Sequence, residues 1–175
     1  MDNPNVFNSE HYLKEIRPFI KPADFLAWDS ESPLGDSIQL FTGSDDNHGC
    51  LADRLTGVAG DRLFTLEALG GPFRPYYLSL RLQEHRGHVW WYPLCDSWDN
   101  DAKRREIMLK AYNQIGIGYD YASLLENAIH PVDADPTKLF CYEACFLAYG
   151  FEGKVPVSRK EFENLGIFKE GVLIK

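Results

Sequence analysis

The spacing of hydrophobic residues changes near residue 97, and this change constrains the fold more than any other feature of the chain. Before it, apolar and polar residues alternate in short runs, as in β-strands with one buried face. After it, apolar residues recur at helical spacing, as in Met108, Ala111, Tyr112 and Ile115. Strands followed by helices predict an α+β fold in which an antiparallel sheet packs against helices.

Five runs in the first half have the composition of strands, and turn residues separate them. The predicted strands cover residues 37–40, 48–55, 62–69, 76–82 and 88–94. Because short turns join several of these runs, neighbouring strands are expected to run antiparallel.

The first 32 residues are predicted to form a helical N-terminal arm. Asn8 or Ser9 can cap a first helix, and Pro22 can open a second short helix around Phe25 and Leu26.

Four helices are predicted in the second half of the chain. The first carries the apolar spacing described above, and the second begins after Asp120. The third runs from about Cys141 to Tyr149, with Gly150 at the left-handed position that commonly ends a helix. The fourth begins with Ser158 and Glu161, whose spacing is that of a capping box.

A chain of 175 residues with 45% hydrophobic content can bury one sizeable core. We therefore expect a single domain over residues 1–175. Its parts are the arm (1–32), a catalytic core (33–150), and a C-terminal helix and strand (151–175).

The formal net charge of -8 argues against nucleic acid as a partner, because phosphate binding needs clustered Lys and Arg. The basic triplet at residues 103–105 is interpreted as a solvated helix face. No segment has the length of a transmembrane span, and the N-terminus lacks the pattern of a signal peptide. A cytoplasmic location is the expectation.

The four cysteines have the spacing of neither a zinc site nor a disulfide framework. They are Cys50, Cys95, Cys141 and Cys145. Reduced thiols are expected, and no metal or other cofactor is predicted.

Cys141 is the candidate nucleophile, because it opens the third predicted helix. Unpaired backbone N–H groups and the helix dipole stabilise a thiolate at such a position, and the N–H of the same residue can face an incoming carbonyl oxygen. Cys145 lies one turn further along and is interpreted as structural. A small buried hydrophobic role is the alternative for Cys141 as well.

His48 and Glu67 are the candidate partners of this thiol. His48 ends a polar loop and begins a predicted strand, and Glu67 interrupts an apolar one. If the two strands form a hairpin that turns near residue 58, both residues lie near the same end of it. A histidine base oriented by a carboxylate is the usual companion of a nucleophilic cysteine. A solvated loop histidine and a carboxylate on a wet strand face are the alternatives.

Several short motifs follow one another along the chain. They are GDSIQLFTG at 35–43, His48, Glu67-Ala68, GYDY at 118–121 and CYEACFLAYG at 141–150. Their order and spacing resemble the permuted NlpC/P60 group of papain-like cysteine hydrolases, in particular its YiiX/YaeF-like members. The resemblance spans roughly residues 33–150.

The resemblance implies a circularly permuted papain-like domain in which the histidine strand precedes the cysteine helix. It also implies thiolate attack on an amide or ester carbonyl, with Cys141 as nucleophile, His48 as base and Glu67 as third member. Two positions depart from the usual pattern. Gly49-Cys50 follows the histidine where small or β-branched apolar residues are more common, and Tyr142 stands where serine is common.

Other candidate sites are weaker. His85, His88 and Cys95 lack a fourth metal ligand and flank a predicted turn. The acidic run 96–101 lacks the glycine and the distal glutamate of a calcium loop, so helix capping is the preferred interpretation. Aromatic pairs at 76–77 and 90–91 are expected to lie partly in the core and partly on a cleft rim.

The leading functional hypothesis is a cysteine peptidase or amidase that cleaves an amide bond through an acyl-enzyme. Its substrate would be a peptide, an amino-acid conjugate or a cell-wall peptide. A lipid-directed acyl hydrolase or acyltransferase with the same first step is one alternative. A non-catalytic binding or structural protein that retains the fold is another, and the oligomeric state is not predicted.

Overall fold

The computed structural model describes residues 7–29, 48–57, 60–69, 71–119, 138–156 and 158–175. The strand predicted at 37–40, the helix predicted after Asp120 and the motif at 35–43 lie outside these residues.

The described residues form five α-helices and eight β-strands. The helices are α1 (Ser9–His11), α2 (Leu78–Glu84), α3 (Asp101–Asn113), α4 (Cys141–Tyr149) and α5 (Arg159–Glu163). The strands are β1 (Phe25–Trp28), β2 (His48–Gly57), β3 (Gly60–Glu67), β4 (Arg74–Tyr77), β5 (Val89–Tyr92), β6 (Gly118–Tyr119), β7 (Lys138–Leu139) and β8 (Val172–Leu173). A π-helical turn at Tyr12–Ile16 and a 3-10 turn at Arg17–Phe19 follow α1.

Six strands form an antiparallel sheet in the order β4-β3-β2-β1-β5-β8. A separate parallel pair joins β6 and β7. The predicted α+β fold with an antiparallel sheet is confirmed. The predicted hairpin is also confirmed, since β2 pairs with β3 from Leu51 and Leu66 down to Gly57 and Gly60.

Buried side chains cover both faces of the sheet. One cluster joins Phe25, Leu51 and Leu66 to α3 and to most of α4. The second cluster, on the other face, joins Leu26 and Trp28 to the N-terminal turns and α2. The sheet is thus the middle of three layers, which brings side chains of both outer layers to its strand ends.

The N-terminal arm is only partly helical. Asn8 caps α1 by accepting the N–H of His11 at 3.0 Å, as predicted. The helix predicted around Phe25 and Leu26 is wrong, because this segment is β1, paired on both sides by β2 and β5. A run of four apolar residues suits a central strand that is buried on both faces. So short a run has no spacing that distinguishes a strand from a buried helix.

The strand predicted at 76–82 is also partly wrong. It ends at Tyr77, and α2 begins at Leu78. Leu78 and Leu82 lie one turn apart and are both fully buried, so the apolar residues fit a short helix against the second cluster.

The C-terminal half follows the predictions more closely. α4 has the predicted bounds, Gly150 has a φ of 86°, and Ser158 accepts the N–H of Glu161 at 3.2 Å. α3 differs in its inner face, because Tyr112 and Ile115 are exposed and Arg104 and Ile107 are buried instead. Among the described helices, none is long and apolar enough to cross a membrane.

Candidate active site

Cys141 is the first residue of α4 and is 3% exposed. The first turn of the helix is held by Glu143, whose Oε2 accepts the N–H of Phe140 at 3.3 Å. The N–H of Cys141 has no acceptor within the helix, because it belongs to the first turn. The thiol therefore lies at the positive end of the helix dipole, with a backbone donor beside it.

His48 is the first residue of β2, and Glu67 is the last residue of β3. The strand register places Leu51 opposite Leu66, so Glu67 follows on the same sheet face as His48 and Cys50. His48 Nε2 and Glu67 Oε2 lie 2.6 Å apart, a short charge-assisted hydrogen bond. The predicted proximity of these two residues is confirmed.

Cys141 interacts with the His48 imidazole as well, so the thiol lies beside this ring. Burial lowers the pKa of His48, but hydrogen bonding and electrostatic interactions with Cys141 and Glu67 outweigh it and raise this pKa to about 9. The imidazole is therefore held as a cation at neutral pH. The three residues predicted for the site therefore lie next to one another.

Glu67 is fully buried and has two further partners. Thr65 Oγ1 donates to Oε1 at 2.6 Å, and Arg81 donates from Nε to Oε1 at 2.8 Å and from Nη2 to Oε2 at 3.2 Å. Burial raises the pKa of Glu67, but His48 and Arg81 together lower it to about 2. The carboxylate is thus ionised over the whole physiological range.

Sequence reasoning missed Thr65 and Arg81. Thr65 had a usable signal, since it lies two residues from Glu67 in the same strand and shares its face. Arg81 had none, because the strand predicted at 76–82 gives the wrong side-chain direction for a residue of α2.

Gly49 accounts for one departure from the family pattern. A Cβ atom at this position would lie 2.9 Å from the ring of Phe25 and 3.0 Å from that of Tyr142. Tyr142 follows Cys141 in α4, so the missing side chain allows the start of this helix to pack directly on β2.

Cys50 and Cys145 lie close to the site and are buried more deeply than Cys141. Both are fully buried, and burial raises the pKa of each thiol well above its ordinary value. Trp28 Nε1 donates to Cys50 Sγ at 3.1 Å. Within the described residues, the potential ligand atoms of His48, Cys50 and Glu67 lie within 4.8 Å of one another.

The weaker candidates have structural partners. His85 Nε2 lies 2.6 Å from the backbone oxygen of Asp29, and His88 Nδ1 lies 3.1 Å from its carboxylate, so the two histidines hold the end of β1. In the acidic run 96–101, Asn100 caps α3 by accepting the N–H of Lys103 at 2.9 Å. This capping was predicted.

No protein-family model matches the chain, and no curated protein matches it either. Among solved structures, it is similar to the metalloprotein yiiX from Escherichia coli O157:H7, with a TM-score of 0.58 and 18% sequence identity. The match covers 74% of this chain and 64% of that protein, so this chain spans less than two thirds of its structural neighbour. The likeness supports the predicted YiiX-like fold, whereas membership of the NlpC/P60 family stays a prediction.

Proposed function

We propose that the chain is a cysteine-dependent hydrolase that cleaves amide bonds through an acyl-enzyme. One observation carries this proposal: buried Cys141 opens α4 beside the His48–Glu67 pair, and the pKa of His48 is raised to about 9. A cationic imidazole beside a thiol at a helix N-terminus favours the thiolate, which is the nucleophilic form.

In the first step, the Cys141 thiolate attacks the carbonyl carbon of the substrate, and the Cys141 N–H is placed to stabilise the oxyanion. His48 transfers its proton to the leaving amine as the C–N bond breaks, which yields a thioester and a neutral imidazole. The neutral imidazole then takes a proton from water, whose oxygen attacks the thioester; the C–S bond breaks, the carboxylic acid leaves, and the thiolate–imidazolium pair is restored. Glu67 orients the imidazole throughout.

Metal binding is the second candidate, because the Escherichia coli neighbour is described as a metalloprotein. His48, Cys50 and Glu67 are the described residues that would hold an ion. Two ligands of a tetrahedral zinc ion lie about 3.3 Å apart, since each is about 2.0–2.1 Å from the metal. His48 Nε2 and Glu67 Oε2 are only 2.6 Å apart and share a proton instead.

Two further contacts oppose a metal ion at this cluster. The Arg81 guanidinium binds both oxygens of Glu67, and Trp28 donates to the sulfur of Cys50. A dication would face an adjacent cation and a protonated thiol, so these residues do not fit a metal centre in this arrangement. Metal analysis of the purified protein is expected to find less than stoichiometric zinc, and one tightly bound equivalent that Cys50→Ser removes would contradict this reasoning.

The primary test of the hydrolase proposal is the reactivity of the four cysteines with iodoacetamide near neutral pH, measured by peptide mass spectrometry. Cys141 is expected to react at least tenfold faster than Cys50, Cys145 and the partly exposed Cys95. His48→Ala should abolish this preference, whereas Cys145→Ala, one helical turn away, should preserve it. Equal, slow alkylation of all four would overturn the proposal and favour a non-catalytic protein.

The substrate class requires a second experiment. The protein is incubated with mixed peptide and lipid extracts, and acyl adducts on Cys141 are identified by mass, with Cys141→Ala as control. A peptidyl adduct supports amide cleavage. A fatty-acyl adduct would redirect the proposal to a lipid-directed acyl hydrolase or acyltransferase.

A further inference from the structure

Arg81 contacts the candidate site from an element that carries none of its three main residues. α2 is held against the second cluster by Leu78 and Leu82, both fully buried, and this docking turns Arg81 towards the sheet. Its guanidinium lies over the ring of Trp28, 4.9 Å from the centroid, and its side chain is 14% exposed. A cation packed in this way has few alternative rotamers.

The guanidinium binds Glu67 through two donors. Nε donates to Oε1 at 2.8 Å, and Nη2 donates to Oε2 at 3.2 Å. Such a fork defines the plane of the carboxylate as well as its position. Thr65 occupies the remaining direction at Oε1, so Oε2 is the oxygen that faces His48.

We infer that Arg81 is a positioning residue of this site, which holds the Glu67 carboxylate in the plane and charge state that His48 requires. The inference rests on the proposed function for its purpose, but the contacts on which it depends are independent of any substrate. The guanidinium hydrogen bonds of Arg81 go to Glu67, so Arg81 acts on the site through that carboxylate.

The charges around the site explain why a cation is needed. Besides Glu67 and Arg81, the ionisable groups that face it are His48, Cys50, Cys141 and Cys145, with Tyr76 near the guanidinium. With Arg81 present, the buried Glu67 carboxylate is bonded to two basic side chains, Arg81 and His48. Without Arg81, this carboxylate would lose one of the two, and burial would raise its pKa towards the neutral form, which does not hold the imidazole as a cation.

The test compares Arg81→Met and Arg81→Lys with the wild type, and Arg105→Met serves as a control because Arg105 is an exposed arginine of α3. The first readout is the proton NMR signal of the His48 ring N–H, which is expected far downfield because of its short bond to Glu67. Arg81→Met should lose this signal, and Arg105→Met should keep it.

The second readout is the rate of Cys141 alkylation by iodoacetamide between pH 5 and 10. For Arg81→Met we expect a rate at pH 6 that is about tenfold lower, which corresponds to a one-unit displacement of the profile, and convergence with the wild type at alkaline pH. Arg81→Lys should be intermediate, because it keeps the charge but not the fork.

A folded Arg81→Met protein that keeps both the downfield signal and the wild-type profile would overturn the inference. If Arg81→Met does not fold, Arg81→Lys decides the question, and wild-type behaviour in both readouts would again overturn it. Should wild-type Cys141 prove unreactive, the proposed function fails, while the His48 signal in the Arg81 variants still tests the positioning role by itself.

Discussion

Two buried carboxylates in this protein are each paired with an arginine, and they differ in what the pair is connected to. Asp24 and Glu67 are both fully buried. Arg104 donates to Asp24 Oδ1 at 2.9 Å, much as Arg81 donates to Glu67. Burial of a carboxylate with a guanidinium therefore does not by itself identify a functional site here.

The other hydrogen-bond partners of Asp24 are N–H donors that do not titrate. Trp91 Nε1 donates to Oδ2 at 2.8 Å, and the N–H groups of Lys21 and Leu94 complete the set at 2.9 and 3.4 Å. Arg104 also bonds Asp99 and the backbone oxygen of Pro22. This cluster joins the segment before β1 to β5 and α3, and none of these contacts leads to a nucleophile.

The pKa directions of the two carboxyl groups are opposite. Burial raises the pKa of Asp24 in spite of Arg104, whereas His48 and Arg81 outweigh burial and lower the pKa of Glu67 to about 2. The difference arises from His48, a titratable partner that continues to Cys141. A buried ion pair becomes a candidate for chemistry when one of its partners can give up a proton.

Asp24→Ala is expected to have the largest effect of the changes considered. Removing one partner of a buried ion pair leaves Arg104 without its buried anion and should lower the free energy of unfolding by about 3–5 kcal/mol. Urea denaturation measures this loss. The rate of Cys141 alkylation per folded molecule should not change, and a parallel loss of reactivity would break the distinction between the two clusters.

Glu67→Gln makes the corresponding test in the Glu67 cluster. The amide keeps the size of the side chain but removes the charge that holds His48 as a cation, so alkylation of Cys141 at pH 6–7 should fall about 10- to 100-fold, or about 1.4–2.7 kcal/mol. The rate is measured by quenching the alkylation at timed intervals and quantifying the modified Cys141 peptide by mass spectrometry. Unchanged reactivity in a folded protein would mean that Glu67 is as purely structural as Asp24.

Gly49→Ala tests how tightly α4 packs on β2 beside the site. The added methyl group would meet Phe25 and Tyr142 at 2.9 and 3.0 Å, and overpacking of this kind costs about 1–3 kcal/mol. Gly57→Ala, at the other end of β2 with nothing within 4 Å, is the matched control. Thermal unfolding that does not distinguish the two variants would contradict the packing argument.

The pH dependence of stability is expected to be the most gradual of these effects. The pKa of His48 is about 9 in the folded protein against an ordinary 6.5, so the folded state binds the proton more tightly. Its stabilising contribution is complete below pH 6.5 and is lost as pH rises through 9, with a slope of at most about 1.4 kcal/mol per pH unit.

Denaturation curves at pH 6, 8 and 9.5 measure this slope. His48→Gln should flatten it, whereas a variant of the Asp24 cluster should leave it in place. A slope that survives His48→Gln would assign the alkaline loss of stability to another group.

Local sequence signals predicted the parts of the fold in which neighbouring residues determine the structure. α4 and its end at Gly150, the cap at Ser158 and the β2–β3 hairpin all depend on residues close together in the chain. The hairpin also predicted that His48 and Glu67 would meet, because a short turn sets the register.

Long-range pairing decided the rest of the fold. Phe25–Trp28 is a central strand only because β2 and β5 supply partners on both sides, and Val172–Leu173 completes the sheet from the far end of the chain. The segment after Tyr77 turns into α2 because a helix buries Leu78 and Leu82 together. In short apolar runs, the spacing of hydrophobic residues does not distinguish a helix from a strand.

The sequence by itself thus determined the chemical types and the order of the site residues: a cysteine at a helix start, and a histidine and a glutamate on one hairpin. Only the tertiary structure decided which of these side chains are charged. Arg81 reaches Glu67 across 14 positions of the chain, and Arg104 reaches Asp24 across 80. The charge on a buried carboxylate depends on which cations the packing of separate elements brings within hydrogen-bond distance, and local residue patterns do not record this.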